Sequence, residues 1–145
     1  MRMTYHTDYA IRMLIYVALK PDGLSTVNEI AQSYGLSRNH LLKVALTLRK
    51  LGLIESMRGR SGGIRLAKSA EQINVGTIVR ATEEDFSLVE CMQATGGLCV
   101  ISPVCRLKGM FAEALQSYLA VLDGYTLADV IHNRGALQPY LGLEN

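Results

Sequence analysis

The 145-residue sequence predicts a mainly α-helical fold, in which a winged helix-turn-helix is followed by a cysteine-containing loop and a long helix. Three observations predict it. Apolar residues recur at helical spacing, two predicted helices flank a turn at Tyr34-Gly35, and an Arg/Gly-rich hairpin follows them. We expect residues 1–70 to form the winged helix-turn-helix and residues 71–145 to hold the loop and the later helices.

The first three predicted helices have recognisable ends. Residues 9–19, YAIRMLIYVAL, form a largely buried helix that ends at a Lys-Pro-Asp-Gly turn. Thr26 and Glu29 fit a capping box that begins the second helix, and Gly35 ends it. Ser37 then caps a third helix. The residues of this helix that we expect to point inward are Leu41, Leu42, Val44, Ala45 and Leu48.

The third helix has the composition of a DNA-reading helix. In a helix-turn-helix, the N-terminal residues of the second helix of the motif meet base edges, and Arg and Asn suit guanine and adenine. A solvated helix face could carry similar residues, but the preceding turn favours DNA contact. The expected DNA-binding residues here are Ser37, Arg38, Asn39, His40 and Lys43.

Residues 54–69, IESMRGRSGGIRLAKS, predict a β-wing. Ile54 and Ser56 fit one short strand, and Ile64 and Leu66 fit another. A plain hairpin is the alternative, but the arginines favour contact with phosphates or a minor groove. The wing residues that we expect at DNA are Arg58, Arg60, Ser61 and Gly62.

Charge separates the two halves. Residues 1–70 carry eleven Lys/Arg and four Asp/Glu, whereas residues 71–145 carry four and nine, for a net charge of +2. A basic first half indicates a polyanionic partner, although chance clustering on a solvated surface is the alternative. The apolar run at residues 13–19 is too short for a membrane span, which needs roughly 20 residues, so we expect a cytoplasmic protein that does not contact a membrane. No catalytic triad or hydrolase motif is present, and we expect no enzyme.

The second half predicts helices over residues 75–83 and 106–122 and a short helix from Thr126. The longer helix carries an apolar seam that we expect to pack on a second copy of the chain, with packing on its own domain as the alternative. The seam residues are Met110, Phe111, Ala114, Leu115, Tyr118, Leu119 and Leu122.

All three cysteines, Cys91, Cys99 and Cys105, lie in the loop over residues 86–105. Their odd number and the expected compartment argue against disulfides. Gaps of seven and five residues differ from the short gaps of structural zinc sites. An iron–sulfur cluster needs several thiolates from a loop that can wrap it, and this interpretation is favoured, while zinc and inert thiols stay open.

Five stretches, in this order, resemble the iron–sulfur cluster winged-helix transcriptional repressors, and the nitric-oxide-sensing members most closely. They are TDYAIRMLIYVAL, YGLSRNHLLKV, MRGRSGGIRL, CVISPVCRLK and LDGYTLADV. The resemblance covers nearly the whole chain. It implies a homodimer that binds palindromic double-stranded operator DNA, represses transcription and is released when nitric oxide attacks its cluster.

The resemblance also implies a set of cluster ligands. These are Cys91, Cys99 and Cys105 of one subunit and Asp8 of the partner subunit, with His6 as the rival donor. The implied cofactor is a [4Fe–4S] cluster, with [2Fe–2S] as the alternative. An iron- or cluster-status sensor on the same scaffold is the nearest alternative function. An electron-transfer iron–sulfur protein, or a DNA-binding protein with zinc or no metal, would be more distant ones.

Overall fold

The computed structural model describes residues 2–143 and has seven α-helices and one β-hairpin in this range. The helices are α1 (Tyr5–Leu19), α2 (Val27–Tyr34), α3 (Arg38–Lys50), α4 (Val75–Thr82), α5 (Leu107–Asp123), α6 (Leu127–Val130) and α7 (Arg134–Leu137). The strands are β1 (Ile54–Met57) and β2 (Gly63–Leu66). Three 3₁₀ turns cover Ala70–Gln72, Glu90–Met92 and Pro139–Leu141. The mainly α-helical winged helix-turn-helix arrangement is as predicted.

Helix α1 begins earlier than the sequence pattern indicated. We predicted a helix over residues 9–19, but the helix starts at Tyr5 because the Thr4 hydroxyl accepts a hydrogen bond from the Thr7 N–H at 3.3 Å. The buried residue of this turn, Thr7, is polar, and Tyr5 is exposed, so the apolar pattern of the turn is weak and only its cap marks it. Asp8 therefore lies in the first helical turn, where a carboxylate suits the positive end of the helix dipole.

The caps predicted for α2 and α3 are confirmed. Thr26 and Glu29 form a capping box, Gly35 ends α2 in the left-handed conformation at φ 64°, and the Ser37 hydroxyl accepts from the His40 N–H. One inward residue was predicted wrongly: Leu42 is 36% exposed. The buried side chains of α3 are Leu41, Val44 and Leu48, a spacing that leaves position 42 off the buried stripe.

Among the described residues, the main core draws on residues 9–78 and on residues 127–143, and not on the cysteine loop or α5. Ala10, Met13, Leu14 and Val17 of α1 are almost fully buried, and α1 contacts α3, α4, α6 and β2. The C-terminal segment closes the far end of α1, where Arg134 donates to the Ala18 carbonyl at 2.8 Å and Gln138 donates to the Leu19 carbonyl at 2.9 Å. Helix α1 therefore joins the helix-turn-helix to the later helices of the fold.

Helix α5 contrasts with the core helices. Its contacts are with α4 and the 3₁₀ turn at Glu90–Met92, and Leu119 is its one buried residue. An ion pair between Arg80 and Asp123 fastens its C-terminal end to α4, with Nη2 and Oδ2 2.7 Å apart. Met110 and Val121 are each 62% exposed. Most of this long apolar helix therefore has no packing partner among the described residues.

Candidate nucleic-acid interface and cysteine loop

The predicted DNA-reading residues lie on the exposed N-terminal turns of α3, which we call the recognition helix. Ser37 caps it, and Arg38, Asn39 and Lys43 are exposed. Arg38 is held from the side, because its Nε–H donates to the Asn28 Oδ1 of α2 at 2.6 Å. The structure thus brings an arginine, an amide and a lysine to one open helix end, as base reading requires.

His40 is in a different environment from its predicted neighbours. Its ring meets the Tyr9 ring edge-on with centroids 4.8 Å apart and lies 6.3 Å from the His6 ring. His6 Nε2 is in turn 3.1 Å from the Thr47 hydroxyl of the recognition helix. These four side chains join the N-terminal end of α1 to both ends of α3. A half-buried His40 therefore contributes to the α1–α3 contact as well as to the surface.

The β-wing has the predicted antiparallel pairing, with Ile54 opposite Leu66 and Ser56 opposite Ile64. Arg58, Arg60 and Ser61 are exposed at its tip. Gly62 is required there, because a Cβ atom at this position would come within 2.8 Å of the Met57 carbonyl oxygen.

The arginines of the wing differ in their partners. Arg65 pairs with Glu55 across the strands at 2.6 Å. Within residues 2–143, no carboxylate lies in ion-pairing range of Arg58 or Arg60. The tip therefore presents two cations with no carboxylate beside them, which suits phosphate contact.

Asp8 and Arg12 form a two-point ion pair on α1. Arg12 Nε lies 3.0 Å from Asp8 Oδ1, and Arg12 Nη2 lies 2.8 Å from Asp8 Oδ2. The guanidinium also lies over the rings of Tyr9 and Tyr34, 5.9 Å from each centroid. Burial raises the pKa of Tyr34 to about 12, so this phenol stays neutral near the cation. The Asp8 side chain is 38% exposed and thus reachable from outside its own chain.

The three cysteines are all free thiols. Cys99 is exposed, and Cys91 and Cys105 are half-buried. The sulfur of Cys105 accepts a hydrogen bond from the Leu107 N–H at 3.4 Å, at the start of α5, where amide groups stabilise negative charge. Cys105 thus lies at the N-terminal end of α5, a position that suits a thiolate ligand.

Glu90 shapes the loop between the first two cysteines. Its Oε1 accepts from the Leu98 N–H at 2.9 Å. Gly97, at φ 65°, lies so close that a Cβ there would come within 2.9 Å of the Glu90 side chain. The chain therefore returns to Glu90 just before Cys99, although seven residues separate Cys91 from Cys99.

The described part of one chain holds no assembled metal site, since no three His, Cys, Asp or Glu side chains in it lie close enough to hold a metal ion. The chemistry of the donor set nevertheless fits an iron–sulfur cluster, because one loop supplies three thiols that form no disulfide, and the sulfur of one of them, Cys105, accepts an amide N–H. The loop also exposes four apolar side chains, those of Leu98, Val100, Ile101 and Val104.

Sequence reasoning missed several residues of these sites. Arg12 had a usable signal, because it follows Asp8 by four residues on a helix. Asn28 and Glu90 had none, since each acts on a residue eight or ten positions away through the folded geometry. Glu83, which follows α4 just before the cysteine loop, was also missed. Its carboxylate accepts a hydrogen bond from the Thr4 N–H at 2.8 Å and so links this end of the loop to the start of α1.

A groove of about 690 Å³ opens between α4, α5 and residues 83–88. Its apolar lining comes from Met3, Val79, Phe86, Leu88, Phe111, Ala114, Leu115 and Tyr118. The last four of these residues belong to the seam predicted on α5. Between residues 2 and 143, no helix is both long enough and apolar enough to cross a membrane.

Comparison with protein families gives a match over residues 3–133 to the Rrf2 family, described as iron-dependent transcriptional regulators. The chain is 51% identical to the HTH-type transcriptional regulator NsrR of Halalkalibacterium halodurans, over 99% of both chains. It is 50% identical to the regulator of the same name from Bacillus subtilis strain 168, again over 99% of both. Because these relatives are named as transcriptional regulators, the prediction that the chain is not an enzyme is confirmed.

Solved structures of the same fold include two regulators. CymR, the global cysteine regulator of B. subtilis, matches with a TM-score of 0.74 and 28% identity, covering 92% of this chain and 98% of that one. IscR of T. potens matches with a TM-score of 0.73 and 27% identity, covering 92% and 88%. The predicted winged helix-turn-helix fold is thereby confirmed.

Proposed function

Because the chain belongs to the Rrf2 family of transcriptional regulators, we propose that it is a cytoplasmic, homodimeric repressor whose iron–sulfur cluster makes operator binding sensitive to nitric oxide. The observation that carries the proposal is the match over 99% of the chain to regulators named NsrR. The described residues supply the parts that such a regulator needs: an exposed reading helix, a basic wing and three free thiols.

The DNA partner is a double-stranded, palindromic operator. The first turns of the recognition helix would meet the bases and phosphates of one major groove, through Arg38, Asn39 and Lys43. Ser37 at the N-cap, and His40 on the side of the helix that faces α1, would lie beside them. Arg58 and Arg60, with Ser61 and Gly62, would follow the neighbouring backbone or minor groove. Two copies would place their recognition helices in successive major grooves, about 34–36 Å apart.

The second copy would cover α5. Helix α5 has 17 residues of which one is buried, and the exposed side chains of Leu107, Met110 and Val121 give it apolar surface that a second copy would cover. The groove beside Phe111 and Leu115 continues this surface. We propose that the seam of α5 and this groove together form the subunit interface, which gives residues 71–145 a separate role from the DNA-binding residues 1–70.

Cys91, Cys99 and Cys105 would hold the cluster, and Asp8 of the partner subunit would complete the donor set. Three thiolates and one carboxylate suit [4Fe–4S], with [2Fe–2S] as the alternative. Asp8 is favoured over His6 because its side chain is 38% exposed and, among the described residues, pairs only within its own helix, with Arg12, whereas His6 Nε2 lies beside Thr47 and so takes part in the contact with the recognition helix.

A bound cluster would supply the iron that nitric oxide attacks. The chain itself would link the partner that Asp8 binds to the orientation of the recognition helix. Asp8 has an alternative partner four residues away, because Arg12 binds both of its carboxylate oxygens in the single chain. Tyr9, the next residue, contacts His40, and His6 contacts Thr47. A change in the partner of Asp8 therefore acts at the end of α1 that is fastened to α3.

Operator binding by anaerobically purified protein, before and after stoichiometric nitric oxide, tests the proposal. Loss of affinity is expected, and unchanged affinity would reject nitric oxide as the signal. A second candidate, an iron- or cluster-status sensor, is favoured by the description of the family as iron-dependent. For that candidate, chelation of iron without nitric oxide should release the DNA.

A further inference from the structure

We propose that Asn28 is a positioning residue that fixes how Arg38 reads a guanine, and thereby sets part of the operator specificity. The inference rests on the proposed DNA contact of the recognition helix. Asn28 lies on α2, outside the set of residues expected to touch DNA, and its Oδ1 accepts the Nε–H of Arg38 at 2.6 Å. Both side chains are on the surface, so their contact is not a by-product of core packing.

The geometry of a guanidinium explains the consequence. Arginine can present two edges to the O6 and N7 atoms of guanine, either Nε with one terminal nitrogen or the two terminal nitrogens together. Asn28 occupies the Nε–H, which leaves the pair Nη1 and Nη2. Among residues 2–143, these two nitrogens have no hydrogen-bonding partner. Arg38 is therefore set for an end-on, two-point contact.

The contact with Asn28 also restricts the Arg38 side chain before DNA is bound, which adds to its preference for guanine. An exposed arginine has many rotamers, and it loses that freedom when it binds a base. Asn28 and Arg38 line the same shallow cleft between α2, the start of the recognition helix and Gly63 of the wing. Because Asn28 holds the side chain from one wall of this cleft, Arg38 needs less ordering when it reaches the correct base.

The experiment starts from an operator enriched out of a randomised duplex pool by the wild-type protein, purified without air. The guanine read by Arg38 is the base at which Arg38→Ala loses discrimination. Affinities are then measured for this operator and for the same duplex with that guanine replaced. Asn28→Ala should lower the affinity ratio of the two duplexes by about 3- to 10-fold per half-site, the range for one hydrogen bond.

One further variant and one further set of ratios separate positioning from a structural role. Asn28→Asp keeps an acceptor for the Arg38 Nε–H, so it should preserve the ratio even where its charge weakens binding overall. At operator positions where Arg38→Ala keeps its discrimination, Asn28→Ala should leave the corresponding affinity ratio unchanged. Thermal unfolding of each variant checks that the chain is folded.

Three results would overturn the inference: an unaltered ratio for Asn28→Ala, a loss of the ratio in Asn28→Asp, or an equal loss for Asn28→Ala at operator positions that Arg38 does not read. Failure of the wild-type protein to enrich any sequence would instead overturn the proposed DNA-binding function, and the inference with it.

Discussion

Replacement of Arg60 by alanine should flatten the salt dependence of DNA binding. Arg60 lies exposed at the wing tip with no carboxylate partner within residues 2–143, so its charge is available to a phosphate. Each phosphate contact contributes a slope of about −0.9 to the logarithm of affinity against the logarithm of salt. A dimer has two wings, so Arg60→Ala should reduce the steepness of this slope by roughly 1.8.

The predicted effect is large enough to measure. Between about 50 and 200 mM salt, one phosphate contact accounts for a loss of roughly 3.5-fold in affinity, and two contacts account for roughly 12-fold. Arg60→Ala should weaken operator and unrelated DNA alike, because a phosphate contact carries no sequence information.

The matched control is Arg65→Ala. Arg65 lies on the same hairpin but pairs with Glu55 at 2.6 Å, so its charge is already balanced locally. Fluorescence anisotropy titrations at several salt concentrations give the slope for each protein. An Arg60→Ala slope equal to that of the wild type, or an equal change in Arg65→Ala, would refute the proposed role of the wing tip.

Four further predictions concern the sensor and the helix-turn-helix. Cys99→Ala should abolish the iron–sulfur absorbance of protein purified without air, and an iron-loaded variant would contradict the ligand set. Asp8→Ala should alter that absorbance and the nitric oxide response, whereas no change in either would exclude Asp8 of the partner subunit as a ligand. Glu90→Ala should speed iron loss to a chelator several-fold because it releases the Leu98 N–H, and Glu90→Gln, which keeps an acceptor, is the control that should not. Thr26→Ala should lower the free energy of unfolding by about 1 kcal/mol, measured by urea titration, because it removes the cap of α2; an unchanged midpoint would refute this.

The sequence predicts the local elements of this fold well. Capping residues and glycine stops act within a few residues of the chain, so Thr26, Gly35 and Ser37 place the ends of α2 and α3 correctly. The start of α1 and the exposure of Leu42 were predicted wrongly. Both predictions relied on apolar periodicity, which is a weak signal where the buried residue of a turn is polar, as Thr7 is, or where a residue borders the buried stripe, as Leu42 does.

The tertiary contacts of the candidate sites could not be predicted from the sequence pattern. The Asn28–Arg38 bond joins two helices, and the Thr4–Glu83 bond joins residues far apart in the chain. Nothing in the spacing of these residues distinguishes them from other exposed polar groups. The Asp8–Arg12 pair is the exception, because helical periodicity alone brings those two side chains together.

Whether an iron–sulfur cluster makes DNA binding sensitive to nitric oxide is decided by the operator affinity of the iron-containing protein, measured without air before and after nitric oxide. Iron content and the intact mass of the dimer are determined on the same sample. We expect an iron-loaded dimer whose affinity falls by about 5- to 150-fold on addition of nitric oxide, the usual range of allosteric coupling. An iron-free protein that still occupies the operator and still responds to nitric oxide would contradict this mechanism.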